Sequence, residues 1–311
     1  MIISTKNLTK KYGTKNAVND ITLEIPEGKT VGLIGPNGSG KTTTIRMLTG
    51  QISPTKGSVE YDGKNIKEMG KSVNELIGIM PQDIVIWDYL KVEENLDYTA
   101  KLFNLDKKFA KQRKEMLIDK LKLSGELDTV ARNLSGGYKR RLNLAISIMH
   151  DPKIIFLDEP TPGVDPQSRR AMWDFIHELN RSKKYSILLT DHYLDEAEKV
   201  CDYIIILDYG KIIAEGTLSE LKRKYLPSKI LKIEFKNTLP KDSVQKIKKL
   251  YKKVVFDKKS ALFNCDKPEK EIPGLLKILA NDGVDFLDIS LKDSSLEDIF
   301  LLLTGREIRN E

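Results

Sequence analysis

Residues 35–42, Gly35-Pro36-Asn37-Gly38-Ser39-Gly40-Lys41-Thr42, follow the spacing G-x-x-x-x-G-K-[ST]. Glycines at these positions let successive backbone N–H groups curl around phosphate oxygens, and a helix N-terminus directly behind them adds a field that favours negative charge. The neighbouring sequence supplies what such a loop requires, an apolar β-branched run at Thr30 to Ile34 before it and a helical run from Thr43 to Leu48 after it. Lys41 then reaches the β- and γ-phosphates of a nucleotide, and the Thr42 hydroxyl is placed for Mg²⁺.

Ile154-Ile155-Phe156-Leu157-Asp158-Glu159 presents two carboxylates at the end of an apolar strand. In a phosphoryl-transfer site Asp158 holds Mg²⁺ directly or through water, and Glu159 orients and deprotonates the attacking water. Alone, the two acids could equally open a loop. Leu134-Ser135-Gly136-Gly137-Tyr138 lies between the phosphate loop and this strand. Ser135 is a good N-cap for the helix that runs to about Met149, with Leu142, Ala145, Ile146 and Met149 on its apolar face; an ordinary Ser-capped helix is the simpler reading.

Taken together, these motifs resemble the ATP-binding cassette (ABC) of transport ATPases, with residues 134–138 similar to that family's signature sequence. The resemblance runs from the N-terminus to about residue 220. It implies a P-loop NTPase fold, α/β with a mostly parallel sheet and a helical subdomain, binding ATP and Mg²⁺. Tyr12 matches the aromatic residue that stacks on adenine, Gln82 the glutamine that senses Mg²⁺ and the transmembrane partner, and His192 the switch histidine at the γ-phosphate. Gly163-Val164-Asp165 matches the loop that crosses the dimer interface. The implied nucleotide contacts are Tyr12, Gly35 to Thr43, Gln82, Ser135, Gly136, Gly137 and Asp158, with Thr42, Gln82 and Asp158 at the metal and Lys41, Glu159 and His192 catalytic. One position departs from the pattern: the signature usually ends in Gln, and here it ends in Tyr138. The last stretch, Ser294 to Gly305, is similar to the C-terminal module of drug- and sodium-export ATPase subunits, and Leu90 to Leu96 also looks like that branch.

The elements that must position these residues are legible as short apolar runs. Thr30 to Ile34, Leu76 to Met80, Lys153 to Leu157, Ser186 to Leu189 and Tyr203 to Leu207 alternate with helical stretches, and several are apolar throughout, as strands covered on both faces are. A polar helical stretch between Glu93 and Leu127, with Leu96, Ala100, Phe103, Met116, Leu117 and Leu121 as apolar positions, reads as an insertion, giving a helical subdomain over about 90–150. The rhythm changes near Pro227. Beyond it the order strand 230–235, helix 241–250, strands 254–257 and 261–264, helix 272–280 and strand 285–291 is β-α-β-β-α-β, a small ferredoxin-like α+β domain. A final helix follows, with Ser294 and Glu297 as its expected capping box. The expected division is 1–225 for the cassette and 228–311 for the accessory domain.

Composition narrows the class. The chain has 311 residues, 40% hydrophobic and 31% charged, which fits a globular protein, and no apolar run approaches the ~18 residues of a spanning helix. The N-terminus lacks a secretory pattern, so the expected location is cytoplasmic, at the inner face of the membrane beside another chain. Cys201 and Cys265 have no metal-ligand spacing and read as packing residues. The net charge of +7 divides into a surplus of two over residues 1–219 and five over 220–311. The basic residues from Lys246 to Lys259 show no interleaved aromatics, so they read as a solvated face and no nucleic acid is expected.

The expectation is an ATPase subunit of an exporter, two copies of which sandwich two MgATP and drive a separate transmembrane permease. A soluble ABC ATPase acting as a clamp on ribosome or nucleic acid is the rival within the family, though such proteins carry two cassettes or a split one. A P-loop kinase would leave residues 134–138 unexplained.

Overall fold

The computed structural model describes residues 2–304 apart from 192–193, 227–228, 252–253, 258, 266–267 and 293–294. The chain falls into two compact units, the first ending at Glu215 and the second beginning at Gly216.

The first unit is built on a six-stranded sheet in the order Lys211–Gly216, Tyr203–Asp208, Thr30–Ile34, Ser186–Thr190, Ile154–Asp158, Ile77–Met80. From Tyr203–Asp208 to Ile77–Met80 every pairing is parallel. All five strands that the apolar runs predict are therefore present, and their composition follows from their position. Ile155, Leu157, Ile187 and Leu189 face one core cluster, while Ile154, Phe156 and Leu188 face another. A strand whose alternate residues are both buried has no polar face to show, so period-two alternation disappears into a uniform apolar run.

A smaller antiparallel sheet, Lys15–Ile21, Ile3–Tyr12, Lys56–Tyr61 and Lys64–Asn65 with Glu24–Ile25 also on the second strand, covers one side of this core. Sequence reading did not find it. Its long strand, ISTKNLTKKY, is mostly polar and interrupted by register shifts at Leu8 to Lys11, so neither a clean alternation nor an apolar run betrays it.

The predicted insertion is the helix pair Val92–Leu102 and Lys107–Lys120. Val92, Leu96, Ala100, Leu117 and Leu121 are buried in the cluster shared with the helix Gly136–Ile148; Phe103 and Met116 are half-buried. Arg113 binds this insertion to the sheet. Its guanidinium, 8% exposed, donates to the Tyr185 hydroxyl at 3.1 Å and the Ile148 carbonyl at 2.9 Å, and pairs with Asp151 at 3.3 Å. Tyr185 and Lys184 also bond Asp151, which holds its carboxyl below the ordinary range against the opposing effect of burial.

In the second unit the strands Lys229–Phe235, Val254–Asp257, Ser260–Cys265 and Phe286–Lys292 form an antiparallel sheet. Their spatial order is second, third, first, fourth, with Lys241–Leu250 and Pro268–Asn281 as the crossover helices, which is the ferredoxin-like arrangement. Leu231, Ile233, Phe235, Phe263, Leu275 and Leu279 form its core, and Cys265 is packed among them. Ser294, expected to cap the last helix, lies outside the described residues. The reciprocal cap is made one residue later: the Asp298 amide donates to the Ser295 hydroxyl at 3.2 Å, and the Ser295 amide donates to the Asp298 carboxylate at 2.9 Å. Ser-x-x-Asp fits the same geometry as Ser-x-x-Glu, and Ser294-Ser295 offered both frames.

Removing Arg113 leaves three buried or half-buried acceptors short of a donor. Arg113→Ala is expected to lower the stability of the first unit by about 2 to 4 kcal/mol, read as a lower thermal melting midpoint in circular dichroism. A melt indistinguishable from the parent would show that the network does not fasten the insertion.

Candidate functional site

The phosphate loop leaves the sheet at the carboxyl end of its central strand. Gly38 and Gly40 have φ of 78° and 107°, in the region that L residues with a Cβ avoid, and a Cβ on Gly40 would stand 2.5 Å from the Ala17 carbonyl. These two residues turn the backbone so that the helix Lys41–Leu48 starts directly behind the loop. The neighbouring hairpin turn supports it, because the Gly210 amide donates to the Ser39 carbonyl at 3.0 Å and its carbonyl accepts from the Asn19 amide at 2.8 Å.

Lys41 is 5% exposed, and its ammonium donates to the carbonyls of Gly35 at 2.7 Å and Pro36 at 3.2 Å. Burial draws its pKa down, while Glu159, Asp158 and Asp191 oppose that and favour the charged form. The Ser39 hydroxyl, in a residue 2% exposed, has no hydrogen-bond partner among the described residues. A buried unsatisfied hydroxyl beneath a loop of this curvature fits a loop shaped for an oxygen-rich ligand.

Across a cleft of about 680 Å³ from the loop stand Gln82 and Glu159; Lys41, Thr42, Thr43 and Tyr12 line the same space. Asp158 ends its strand 3% exposed and accepts from the Thr190 hydroxyl at 2.7 Å. Glu159 follows with φ of 50°, left-handed for a non-glycine residue, and its amide donates to both the carbonyl and the hydroxyl oxygen of Thr190, each at 3.0 Å. Its carboxylate accepts from the Gln82 side-chain amide at 2.9 Å. Tyr12 is 51% exposed at the tip of its hairpin beside Lys10, open to a flat ring rather than packed. His192 lies outside the described residues.

The signature residues stand apart from this cleft. Ser135 caps the helix Gly136–Ile148, its hydroxyl accepting from the Tyr138 amide at 3.4 Å. Gly136 faces open space, whereas Gly137 is packed against the side chains of Asp165 and Ser168, where a Cβ would overlap both. Asp165 in turn caps Pro166–Ser182, accepting from the Ser168 amide at 2.9 Å, the donor that holds its carboxyl below the usual range. Sequence reading missed this local reason for Gly137, together with Thr190 and the buried Arg140 and Asn143. None of them offered a signal: Arg140 lies opposite the apolar face of Leu142, Ala145, Ile146 and Met149, where a charge is ordinary.

The profile of the ABC transporter family matches residues 18–162, and that of the DrrA1-3-like ATP-binding protein C-terminal domain matches residues 216–304. Over 97% of this chain and 92% of its own length, the daunorubicin/doxorubicin resistance ATP-binding protein DrrA of Streptomyces peucetius is 34% identical. This chain belongs to the ABC transporter ATP-binding subunits. The linearmycin resistance ATP-binding protein LnrL of Bacillus subtilis is 30% identical over 99% of this chain and all of its own. The Nod factor export ATP-binding protein I of Cupriavidus pinatubonensis is 33% identical over 99% of this chain and 92% of its own. Among solved structures, an ATP-binding subunit of an ABC transporter superposes with TM-score 0.67 at 28% identity, covering 72% of this chain and 93% of the other. A dimeric ABC cassette bound to ADP and phosphate does so with TM-score 0.63 at 25% identity, covering 70% and 98%. ATP hydrolysis powering transport through a separate membrane subunit is the activity of this ABC ATPase. Among the described residues no helix is long and apolar enough to cross a membrane.

Tyr138, the departure from the signature, has a structural explanation. Its ring lies 4.0 Å from the Arg141 guanidinium carbon, and Arg141 donates to the Leu121 and Lys122 carbonyls at 2.9 and 2.7 Å. The ring thus backs an arginine that closes the end of the helix Lys107–Lys120. Tyr138→Gln is expected to lower stability by about 0.5 to 2 kcal/mol while keeping ATP turnover within about an order of magnitude; thermal melts and phosphate release measure the two. A larger loss of turnover with an unchanged melt would place Tyr138 in the chemistry instead.

Proposed function

We propose that the chain is the ATPase of an exporter in which two copies face each other with two MgATP between them. Each phosphate loop is completed by Ser135, Gly136 and Gly137 of the opposite copy. The observation that carries the reading is the single cleft shared by the phosphate loop, Gln82 and Glu159. Export is supported by the relatives named above and by the C-terminal module they share.

Lys41 exchanges the Gly35 and Pro36 carbonyls for β- and γ-phosphate oxygens, while backbone N–H groups among residues 37–43 surround the rest of the phosphate chain. Thr42, Gln82 and Asp158, oxygen donors at the loop and the strand end, suit Mg²⁺, which supplies charge neutralisation at the β- and γ-oxygens when bound. Glu159 orients the attacking water and takes its proton; the Gln82 amide fixes that carboxylate. Tyr12 offers its exposed ring to adenine, and His192 is assigned to the γ-phosphate on family resemblance.

A second cleft, about 810 Å³, is lined by Trp87, Leu102, Phe103 and His150 beyond the Gln82 loop, and Ile84, Val85 and Tyr89 are exposed in the same loop. The cleft is mixed, with Lys71, Asn74 and Glu75 at its wall, and together with the exposed Ile84, Val85 and Tyr89 it is assigned to the membrane subunit, so that docking and the Gln82 loop share one segment.

Glu159→Gln keeps size and hydrogen bonding but removes the base. ATP binding is expected to persist while hydrolysis falls by ~10² or more, and the variant is expected to accumulate as a closed dimer with MgATP but not with MgADP. Size-exclusion chromatography near the dimer dissociation constant reads this directly; a monomer in both nucleotides would remove the shared-site mechanism. A chain ending before Gly216 is expected to bind ATP within about twofold of full length, since every assigned contact precedes it. Loss of affinity in a folded truncation would bring the second unit into the site.

A further inference from the structure

The helix Gly136–Ile148 grips the Gln82 loop through side chains to which the mechanism assigns no role. Arg140 and Asn143, one turn apart on one face, are 7% and 2% exposed. Burying a guanidinium and an amide is unfavourable unless their hydrogen-bonding groups find partners, and here the partners are backbone groups of one short segment. The Arg140 guanidinium donates to the Pro81 carbonyl at 3.2 Å. The Asn143 carbonyl oxygen accepts from the Val85 amide at 3.2 Å, and its NH₂ group donates to the Asp83 carbonyl at 3.5 Å. These three bonds flank Gln82 on both sides, and Gln82 makes the 2.9 Å bond to Glu159.

The grip has little slack. Where the helix passes the strand Ile77–Met80 that feeds the loop, a Cβ on Gly78 would overlap the Ser147 carbonyl, so helix and strand backbones are in direct contact. Arg140 also stands in the field of Asp83, Glu159 and Asp158, which offsets part of the penalty that burial imposes on its charge.

We propose that Arg140 and Asn143 are positioning residues: by fixing residues 81–85 they hold the Gln82 amide on the Glu159 carboxylate and so set the base toward the attacking water. This rests on the assignment of Glu159 as that base. Neither residue lines the phosphate-loop cleft; the hydrogen bonds of both run to the segment that carries Gln82. The geometric consequence is that ATP binds without them, while the base loses its alignment.

The test is a pair of double-mutant cycles on the full-length chain, measuring steady-state ATP turnover and the affinity for a fluorescent ATP analogue. Arg140→Met and Asn143→Ala are each expected to lower kcat on the order of tenfold, with the Kd for the analogue within about twofold of the parent; Gln82→Ala, which also removes a proposed Mg²⁺ donor, is expected to lower kcat at least as far. Arg140→Met/Gln82→Ala and Asn143→Ala/Gln82→Ala are expected to be no slower than Gln82→Ala alone, because residues acting in series do not add. Losses that multiply in the doubles, or single variants with unchanged kcat, overturn the proposal; should Arg140→Met fail to fold, the Asn143 cycle decides by itself. Turnover that survives Glu159→Gln would refute the role of Glu159 and the functional reading with it. Multiplying losses in an activity that Glu159→Gln abolishes would overturn this inference alone.

Discussion

Lys41 carries an ammonium group to a position only 5% exposed, and most of the surrounding architecture can be derived from the need to keep that charge there. An isolated buried cation would lose its proton or unfold its surroundings. Burial still draws the Lys41 pKa down, and two backbone carbonyls at the end of one strand and three carboxylates, Glu159, Asp158 and Asp191, oppose that loss. Those carboxylates follow the ends of the adjacent strands Ile154–Asp158 and Ser186–Thr190. The parallel order of the sheet is thus what brings cation and anions to one edge, since parallel neighbours deliver their carboxyl ends to the same side.

How legible this was depends on how local each requirement is. The phosphate loop could be read because its curvature is written in glycines, and the parallel strands because double burial leaves an unbroken apolar run. The antiparallel sheet was hidden because strand Ile3–Tyr12 exposes lysines along much of its length. Thr190, Arg140 and Asn143 were hidden for another reason: each acts on a backbone group from 31 to 59 residues away, and no spacing rule connects them. Gly137 was read from its motif as a nucleotide contact, yet its missing Cβ already has a use inside the subunit, against Asp165 and Ser168. One residue can answer to both demands, and sequence alone names only the one that recurs in a pattern.

The second unit follows different physics. Its core is a handful of aliphatic and phenylalanine side chains between one sheet and two helices, while the helices Leu218–Tyr225 and Leu296–Thr304 are capped by Thr217 with Glu220 and by Ser295 with Asp298. Its β-α-β-β-α-β order was readable in part because the strands Lys229–Phe235 and Ser260–Cys265 alternate buried with half-buried positions, which keeps the period of two visible. The frame of the last cap was not, because two adjacent serines satisfy the same rule.

Glu159 occupies a left-handed backbone conformation, φ 50°, that disfavours any residue with a Cβ by about 1 to 2 kcal/mol. Thr190 holds it there with two acceptors for one amide. Glycine would relax the turn, and asparagine would suit it better than glutamate does. The protein therefore stores conformational strain at the residue proposed as the base. With Glu159 as the proposed base, Gly or Asn at residue 159 would give a sturdier protein that no longer turns over ATP, so the strained turn is stability exchanged for activity.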